Sequence, residues 1–244
     1  QAGGNPIEVN TTIENDFKTT VDDVQKSLTN NTKAIVMNSP CNPTGAVMDK
    51  EDIKAIADIA TDKDIIIIAD EIYEKIIYNK KHYSFQAYTD NAITINGFSK
   101  AYAMTGLRSG YCSSNSEIID EILKVHQYNV ACVDTATQKA CTTALTSSQQ
   151  CVNDMRNEFE KRRNLVVESL NNMGLECSNP DGAFYVFFHA GNSQEFIEKA
   201  LTEDVILVPG LAFGSMGREY VRLSYAQSYE NLEKAMKRLE KVVV

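Results

Sequence analysis

A run of four isoleucines between charged residues constrains the fold of this chain more than any other feature. The isoleucines occupy positions 65–68, with Asp64 before them and Asp70 two residues after them. An apolar run of this kind predicts a strand that is buried on both faces, as in a parallel sheet. Open α/β sheets bind ligands at the carboxyl ends of such strands. We therefore expect Asp70 to face a binding site, the alternative being a helix N-cap or an ordinary turn residue.

Lys100 follows a second apolar run and stands beside groups that suit a phosphate. Ser99 precedes it, and Arg108 lies eight residues further on. A hydroxyl and a planar guanidinium are typical phosphate ligands. A lysine that loses its proton readily, because it is desolvated or near another cation, can attack a carbonyl carbon. The pattern indicates pyridoxal 5′-phosphate (PLP) held as a Schiff base, and the alternative is a surface lysine after a buried strand.

A rigid turn follows the apolar segment 34–37. Two prolines and a glycine lie within residues 40–45, and Asn42 precedes one of the prolines. A residue before proline is biased to an extended backbone, so the amide of Asn42 can point outward into a site. An ordinary turn is the alternative interpretation.

In their order and spacing, these motifs resemble class I and II aminotransferases of PLP fold type I, especially the prokaryotic aspartate aminotransferase-like branch. The matching segments are Asn-Pro-Thr-Gly at 42–45, Ala-Asp-Glu-Ile-Tyr at 69–73, Gly-Phe-Ser-Lys-Ala-Tyr-Ala-Met-Thr-Gly-Leu-Arg at 97–108, Pro-Asp-Gly-Ala-Phe-Tyr-Val-Phe at 180–187, and Val-Arg-Leu-Ser-Tyr-Ala at 221–226. The resemblance covers almost the whole chain, and it implies PLP as cofactor and a homodimer.

The resemblance also implies roles for individual residues on the cofactor. Lys100 would hold PLP covalently and then move the substrate proton. Asp70 would pair with the pyridine nitrogen and keep the ring an electron sink. Tyr73 and Asn42 would donate hydrogen bonds to the phenolic oxygen of the ring.

The anionic ends of cofactor and substrate would be held by other side chains. Ser99 and Arg108 would bind the phosphate. Arg222 would bind the substrate α-carboxylate in a bidentate pair, with Asn42 assisting. The resemblance implies no metal site.

Relatives of this kind carry an N-terminal arm, a Gly-rich phosphate-binding loop and an aromatic residue that stacks on the ring. Residues 1–30 contain no Gly-rich strand–loop–helix pattern. We therefore expect a fragment of a longer polypeptide, one that by itself binds PLP weakly or not at all and does not turn over.

Hydrophobic periodicity predicts an α/β chain in two parts. The first part, 1–149, is predicted to form a mostly parallel sheet with covering helices, and the family resemblance implies that it is a portion of the large PLP-transferase domain. Its predicted strands are 34–37, 65–69, 92–95 and 110–113, and its predicted helices are 50–61, one beginning after an N-cap at Ser116 with its apolar residues on one face, and 135–146.

The second part, 150–244, is predicted to be a linking helix and a small α+β domain. The linking helix covers 150–173 and ends at Gly174, and its charge run at 158–163 is predicted to face solvent. Strands at 183–188, 205–208 and 221–225 and helices at 194–202 and from 230 onward complete it. Because Arg222 lies in this part and Lys100 in the other, the site is expected between them.

Composition limits the partners. A net charge of −9 argues against nucleic acid and anionic membrane. The six cysteines form no Cys-x-x-Cys pair, which favours reduced thiols and a cytoplasmic protein. The three histidines are far apart in sequence and predict no site. We expect small-molecule partners, namely an amino acid and a 2-oxo acid.

The favoured function is transfer of an amino group between an α-amino acid, possibly aspartate, and a 2-oxo acid. Lys100 and Asp70 would equally serve a PLP-dependent β-lyase. A third alternative is a non-enzymatic PLP-binding effector domain of a transcriptional regulator.

Overall fold

The computed structural model describes residues 2–243, and its first half is built on a four-stranded sheet. The strands are β1 (Ala34–Asn38), β2 (Ile66–Asp70), β3 (Ala92–Gly97) and β4 (Gly110–Ser113), in that spatial order. β1, β2 and β3 are parallel, and β4 pairs antiparallel with β3. The prediction of a mostly parallel sheet is confirmed, with strand bounds within two residues of the expected ones.

Only one face of this sheet is fully covered. Helix α1 (Val21–Ser27) and helix α2 (Lys50–Asp62) enclose a core with the side chains of Ile67 and Ala69, which are 0% and 2% exposed. On the other face Val36 remains 73% exposed, and alternate residues of β2 are only half-buried. The prediction that β2 is buried on both faces is therefore wrong, because the described residues cover the second face only in part.

Two helices after the sheet bury little of their surface. Helix α3 (Ser116–Asn129) has no buried residue, and α4 (Thr135–Thr146) buries two. The N-cap of α3 is Asn115, whose side-chain oxygen accepts from the backbone N–H of Ile118 at 3.0 Å, so the prediction of Ser116 as the cap is wrong. Asn and Ser are equally good N-caps, so the residue type does not decide between the two positions. Asn115 is the cap because its backbone is extended, whereas Ser116 is already helical. The predicted apolar face of α3 is present but exposed, with Leu123 at 53%.

The long helix α5 (Gln150–Asn172) begins and ends where the sequence predicts. Gly174 adopts φ 75° and donates its N–H to Asn171, while Leu175 donates to Leu170, which is a glycine-terminated helix end. The prediction that the charge run at 158–163 faces solvent is wrong for Arg163, because its side chain is buried. It donates to the Pro180 carbonyl at 2.7 Å and lies 5.0 Å from the ring centre of Tyr78.

The second half contains an antiparallel three-stranded sheet in the order β5, β7, β6. The strands are β5 (Tyr185–His189), β6 (Val208–Pro209) and β7 (Tyr220–Ser224), and helices α6 (Ser193–Thr202) and α7 (Tyr229–Val243) pack with α5 against them. Of the strand predicted at 205–208, only Val208 is in β6, and the prediction is wrong for the other three residues. Val205 and Leu207 are buried by packing instead of by pairing.

Segments of the first half contribute to the core of the second. Tyr73 and Ile76, which follow β2, belong to the apolar cluster of α5, β5, β7 and α7. Gly182 donates to the Gly45 carbonyl at 3.0 Å, and a Cβ on Gly45 would lie 2.3 Å from the side chain of Pro180. Gly45 also has a φ of 71°, and only glycine combines this backbone conformation with so close an approach to Pro180. The predicted boundary near Gln150 stays a prediction.

The cysteines are unpaired thiols in the structure, and none of the helices in the described residues has the length and apolarity needed to cross a membrane.

Candidate active site

Asn38 and Asp70 end adjacent parallel strands, and their hydrogen bonds join the two strand ends to the 42–45 turn. Asn38 Nδ2 donates to the Asp70 carbonyl at 3.0 Å, and Asn38 Oδ1 accepts from the backbone N–H of Asn42 at 2.8 Å. Asp70 Oδ1 accepts from the Ile72 N–H at 3.2 Å. The carboxylate of Asp70 is therefore oriented by one bond, and its second oxygen can bind a cationic group. This is the ligand edge that the strand pattern predicts.

The Asn42 side chain meets Arg222 from the other half of the chain. Arg222 Nη1 donates to Asn42 Oδ1 at 2.9 Å. Its guanidinium lies between two rings, with Cζ 4.6 Å from the ring centre of Tyr185 and 4.8 Å from that of Phe213. Arg222 Nε is buried and has no hydrogen-bond partner in the described residues. A buried donor of this kind calls for an acceptor, and a carboxylate fits a guanidinium fork best.

Tyr73 is buried in the same cleft. It is 3% exposed, and its hydroxyl lies 3.0 Å from that of Tyr185. Burial raises the pKa of the Tyr73 phenol above its usual value, and the Tyr185 hydroxyl and the nearby Asp70 carboxylate raise it further. Tyr73 therefore stays protonated at neutral pH and can act as a hydrogen-bond donor.

Lys100 lies beyond the end of β3, and its amine faces aromatic rings. Lys100 Nζ is 5.6 Å from the ring centre of Tyr73 and 5.5 Å from that of Phe184. The side chain is half-buried and forms no ion pair within residues 2–243. An amine against aromatic walls is partly removed from water, as a nucleophilic lysine requires.

The two predicted phosphate ligands lie on the connection between β3 and β4, where the Phe98 N–H donates to the Ser109 carbonyl at 3.3 Å, but no hydrogen bond joins their side chains in the described residues. Ser99 is half-buried beside Lys100. Arg108 is exposed, adopts φ 52° and donates from Nη1 to the Thr105 carbonyl at 2.8 Å. Its left-handed backbone ends a short 3-10 helix, Thr105–Leu107, and turns the side chain into the loop. The phosphate-binding roles of Ser99 and Arg108 stay predictions.

Five of the seven predicted residues are joined by direct contacts or through one intermediate residue: Lys100, Tyr73, Arg222, Asn42 and Asp70. The intermediates are Tyr185, between Tyr73 and Arg222, and Asn38, between Asn42 and Asp70. Sequence reasoning assigned neither a role. The sequence marks these two residues only by their positions: Tyr185 begins β5, and Asn38 ends β1.

Sequence reasoning also missed a buried hydrogen-bonded group behind the site. Glu71 is 3% exposed and lies 2.8 Å from His82 Nε2, and it accepts from Ser84 Oγ at 2.9 Å. Glu71, Glu74 and His82 bring potential metal-ligand atoms within 4.8 Å of one another. Both carboxylate oxygens of Glu71 already have partners, so we interpret the group as an anchor for the segment that follows Asp70.

The donor set fits PLP in its chemistry. An amine, a carboxylate and a protonated phenol lie near one another, and Arg222, from the other half of the chain, has a buried donor without a partner in the described residues. These are the groups that hold a carbonyl carbon, a pyridinium nitrogen, a phenolic oxygen and a carboxylate.

Comparison with known proteins identifies the family. The model of the family "Aminotransferase class I and II" matches residues 1–239. An aspartate aminotransferase of Pyrococcus abyssi is 47% identical over 99% of this chain, and aromatic-amino-acid aminotransferase 2 of Thermococcus litoralis is 45% identical over 99%. The chain spans 65% of the length of each of these relatives.

Solved structures agree with the sequence relatives. The aromatic aminotransferase of Pyrococcus horikoshii superposes with a TM-score of 0.95 at 45% identity, covering 99% of this chain and 68% of that protein. The match in sequence and in fold covers both halves of the chain. The chain therefore belongs to the class I and II aminotransferase family.

Proposed function

We propose that the protein transfers an amino group between an α-amino acid and a 2-oxo acid with PLP as cofactor, which is the cofactor of its family. The observation that carries the proposal is the linked set in which Lys100 and Arg222, 122 positions apart in sequence, approach the same buried pair of tyrosines. A PLP enzyme needs an amine for the cofactor and a separate cation for the substrate carboxylate, held at a fixed separation.

PLP, when bound, supplies an electron sink for charge that develops on the substrate α-carbon. Asp70 maintains that property by offering a carboxylate to the protonated ring nitrogen. Tyr73, a protonated donor, contributes a hydrogen bond to the ring oxygen. Ser99 and Arg108 are proposed to bind the phosphate.

Arg222 and Asn42 orient the substrate. The rings of Tyr185 and Phe213 pack on the guanidinium of Arg222, and Asn42 accepts from one of its nitrogens, so the other donors would be available to a substrate carboxylate. With the carboxylate held there, the amine of Lys100 would be the group available to take the hydrogen of the substrate α-carbon as a proton.

Lys100 is proposed to carry that proton. Its aromatic neighbours exclude water from one side of the amine, so a proton taken from the α-carbon is returned to the reacting molecule instead of being lost to solvent.

The β-lyase and the regulator effector domain are not favoured, because the relatives are named as aminotransferases. The amino-acid substrate is the finer question. Relatives of similar identity carry the names of aspartate and of aromatic aminotransferases, so we propose aspartate as donor only as the first compound to assay.

The test uses the full polypeptide that the gene encodes. Borohydride reduction with PLP followed by peptide mass mapping is expected to place the pyridoxyl group on Lys100. Incubation with aspartate or phenylalanine alone is expected to yield the matching 2-oxo acid in a single half-turnover without ammonia. Steady release of pyruvate and ammonia from an amino acid with a leaving group on Cβ, such as an S-alkyl cysteine, would instead identify a β-lyase. A label on another lysine would exclude Lys100.

We further propose a homodimer and a cytoplasmic location, in line with the family resemblance and the unpaired thiols. Analytical ultracentrifugation and cell fractionation test these two points. A monomer that turns over at the same rate at all concentrations would exclude the dimer as the active form.

A further inference from the structure

Tyr185 contacts both sides of the proposed site. It begins β5 in the second half of the chain, and its side chain is 7% exposed. Its hydroxyl lies 3.0 Å from that of Tyr73, and its ring centre lies 4.6 Å from Arg222 Cζ. One residue therefore reaches the group proposed for the cofactor oxygen and the group proposed for the substrate carboxylate.

The hydroxyl pair has only two proton arrangements. A phenol donates one proton and accepts through its oxygen. Tyr185 can donate to Tyr73, or Tyr73 can donate to Tyr185, and the distance is the same in both cases. If the proton of Tyr73 is directed at a ligand, its oxygen is left to accept, and Tyr185 must be the donor.

The ring of Tyr185 performs a different task from its hydroxyl. It forms one wall of the sandwich around Arg222, and Phe213, which is 36% exposed, forms the other. A guanidinium stacked on an aromatic face is held in plane and stays partly desolvated. The buried Nε of Arg222, without a partner in the part of the chain that the structure describes, lies in this restricted setting.

We infer that Tyr185 is a positioning residue with two separable parts: its hydroxyl directs the proton of Tyr73 toward the cofactor, and its ring holds Arg222 for the substrate carboxylate. The inference rests on the proposed function. It assigns to one side chain the coupling of cofactor and substrate binding across the two halves of the chain.

The two parts are tested by two substitutions in the PLP-loaded full polypeptide. Tyr185→Phe removes the hydroxyl and keeps the ring, and Tyr185→Leu removes both. The first readout is the pH at which the absorbance of the bound cofactor changes. The charged groups around Tyr73, namely Asp70, Lys100 and Arg222, are the same in both variants.

Tyr185→Phe is expected to raise that pH midpoint by about half a unit to one unit, because a hydrogen bond that steadies the anionic ring oxygen is weakened. It should lower kcat by about three- to tenfold, with KM for the amino acid nearly unchanged. Tyr185→Leu should show the same shift and in addition raise KM by about tenfold, because one wall of the Arg222 sandwich is lost.

Tyr225→Phe is the matched control. The Tyr225 hydroxyl also lies 3.0 Å from another tyrosine hydroxyl, that of Tyr78, but this pair contacts neither Lys100 nor Arg222. It should lower stability without moving the pH midpoint or KM.

Three results would overturn the inference: an unchanged midpoint in Tyr185→Phe, a lowered midpoint, which would mean that Tyr185 competes with the cofactor for the proton, or an unchanged KM in Tyr185→Leu. If the unsubstituted polypeptide shows no cofactor absorbance, the proposed function itself fails, and that outcome is separate from these three.

Discussion

The core around β5 and β7 and the region of β4, α3 and α4 both carry large apolar side chains at regular spacing, but the burial of those side chains is very different. In the first, Val186, Phe188 and Val221 are each 0% exposed. In the second, Tyr111 is 47% and Tyr128 87% exposed. Apolar side chains on a regular element are buried only when another element packs on them, so the same pattern ends in a core in one region and on the surface in the other.

The candidate site lies where these two regions meet. Tyr73 and Tyr185 belong to the well-packed core. Lys100 and Arg108 lie in the connection between β3 and the exposed strand β4. Tyr73 and Tyr185 link the site from the core side and contact Lys100 and Arg222, whereas Ser99 and Arg108 form no side-chain contact with the linked residues in the part of the chain that the structure describes.

The largest expected effect compares an aromatic residue in each region. Phe188→Ala should lower the free energy of unfolding by about 3–5 kcal/mol, because it leaves a cavity in the packed core. Tyr128→Ala on α3 should change it by less than about 0.5 kcal/mol. Urea denaturation measures both, and losses of similar size would mean that α3 is packed in solution.

The next effect compares the two ends of the same strand. Asp70→Asn should lower the transamination rate by about 100-fold or more, equal to at least about 2.7 kcal/mol of barrier, because an amide cannot form an ion pair with the ring nitrogen. PLP should still bind. Asp64 is exposed and precedes β2, so Asp64→Asn is the control and should leave the transamination rate unchanged. A fully active Asp70→Asn variant would mean that another acid faces the ring.

Arg222→Lys tests the contact between the two halves. A lysine cannot form two parallel hydrogen bonds with a carboxylate or stack between two rings. The amino-acid KM should rise by about 30- to 100-fold, or about 2–2.8 kcal/mol, while the cofactor absorbance stays the same. Arg218→Lys, also in the second half but exposed, should behave like the parent. Equal KM values for all three proteins would remove Arg222 from the substrate site.

The smallest effect compares neighbours on α5. Arg163→Ala should lower the free energy of unfolding by about 1.5 kcal/mol, because the buried Pro180 carbonyl loses its charged donor. Arg162→Ala breaks an ion pair with Glu158 and a contact with the ring of Phe159, 5.6 Å from Arg162 Cζ, both on the same helix, and should cost about 0.5–1 kcal/mol. Thermal and urea unfolding compare the two, and the reverse order would show that the Arg163 contact is not formed in solution.

Local pattern predicted most of the elements of this fold. The strand at 110–113 and the helix at 135–146 match the observed β4 and α4 residue for residue, and Gly174 ends α5 as a left-handed residue. These features depend on neighbours within a few residues, which is the range that sequence periodicity reports. Periodicity over this range does not predict β6 correctly, because Val205 and Leu207 are buried by packing and do not pair with another strand.

Motif order likewise identified the residue types of the site, because lysine, aspartate, tyrosine, asparagine and arginine are required by the chemistry that the motifs resemble. Arg163 shows the limit. Five charged residues in six positions predict a solvated face, and only the approach of Pro180 and Tyr78 decides that one of them is buried.

The sequence by itself determined the family, the parallel sheet and the identity of the residues that carry the proposed chemistry, since these follow from local pattern and motif spacing. The tertiary structure decided which of those residues meet and what joins them. Tyr185 links Tyr73 to Arg222 because the first residue of β5 packs against the segment that follows β2 and against β7. Contacts between residues more than a hundred positions apart depend on the packing of whole elements, and no local pattern encodes them.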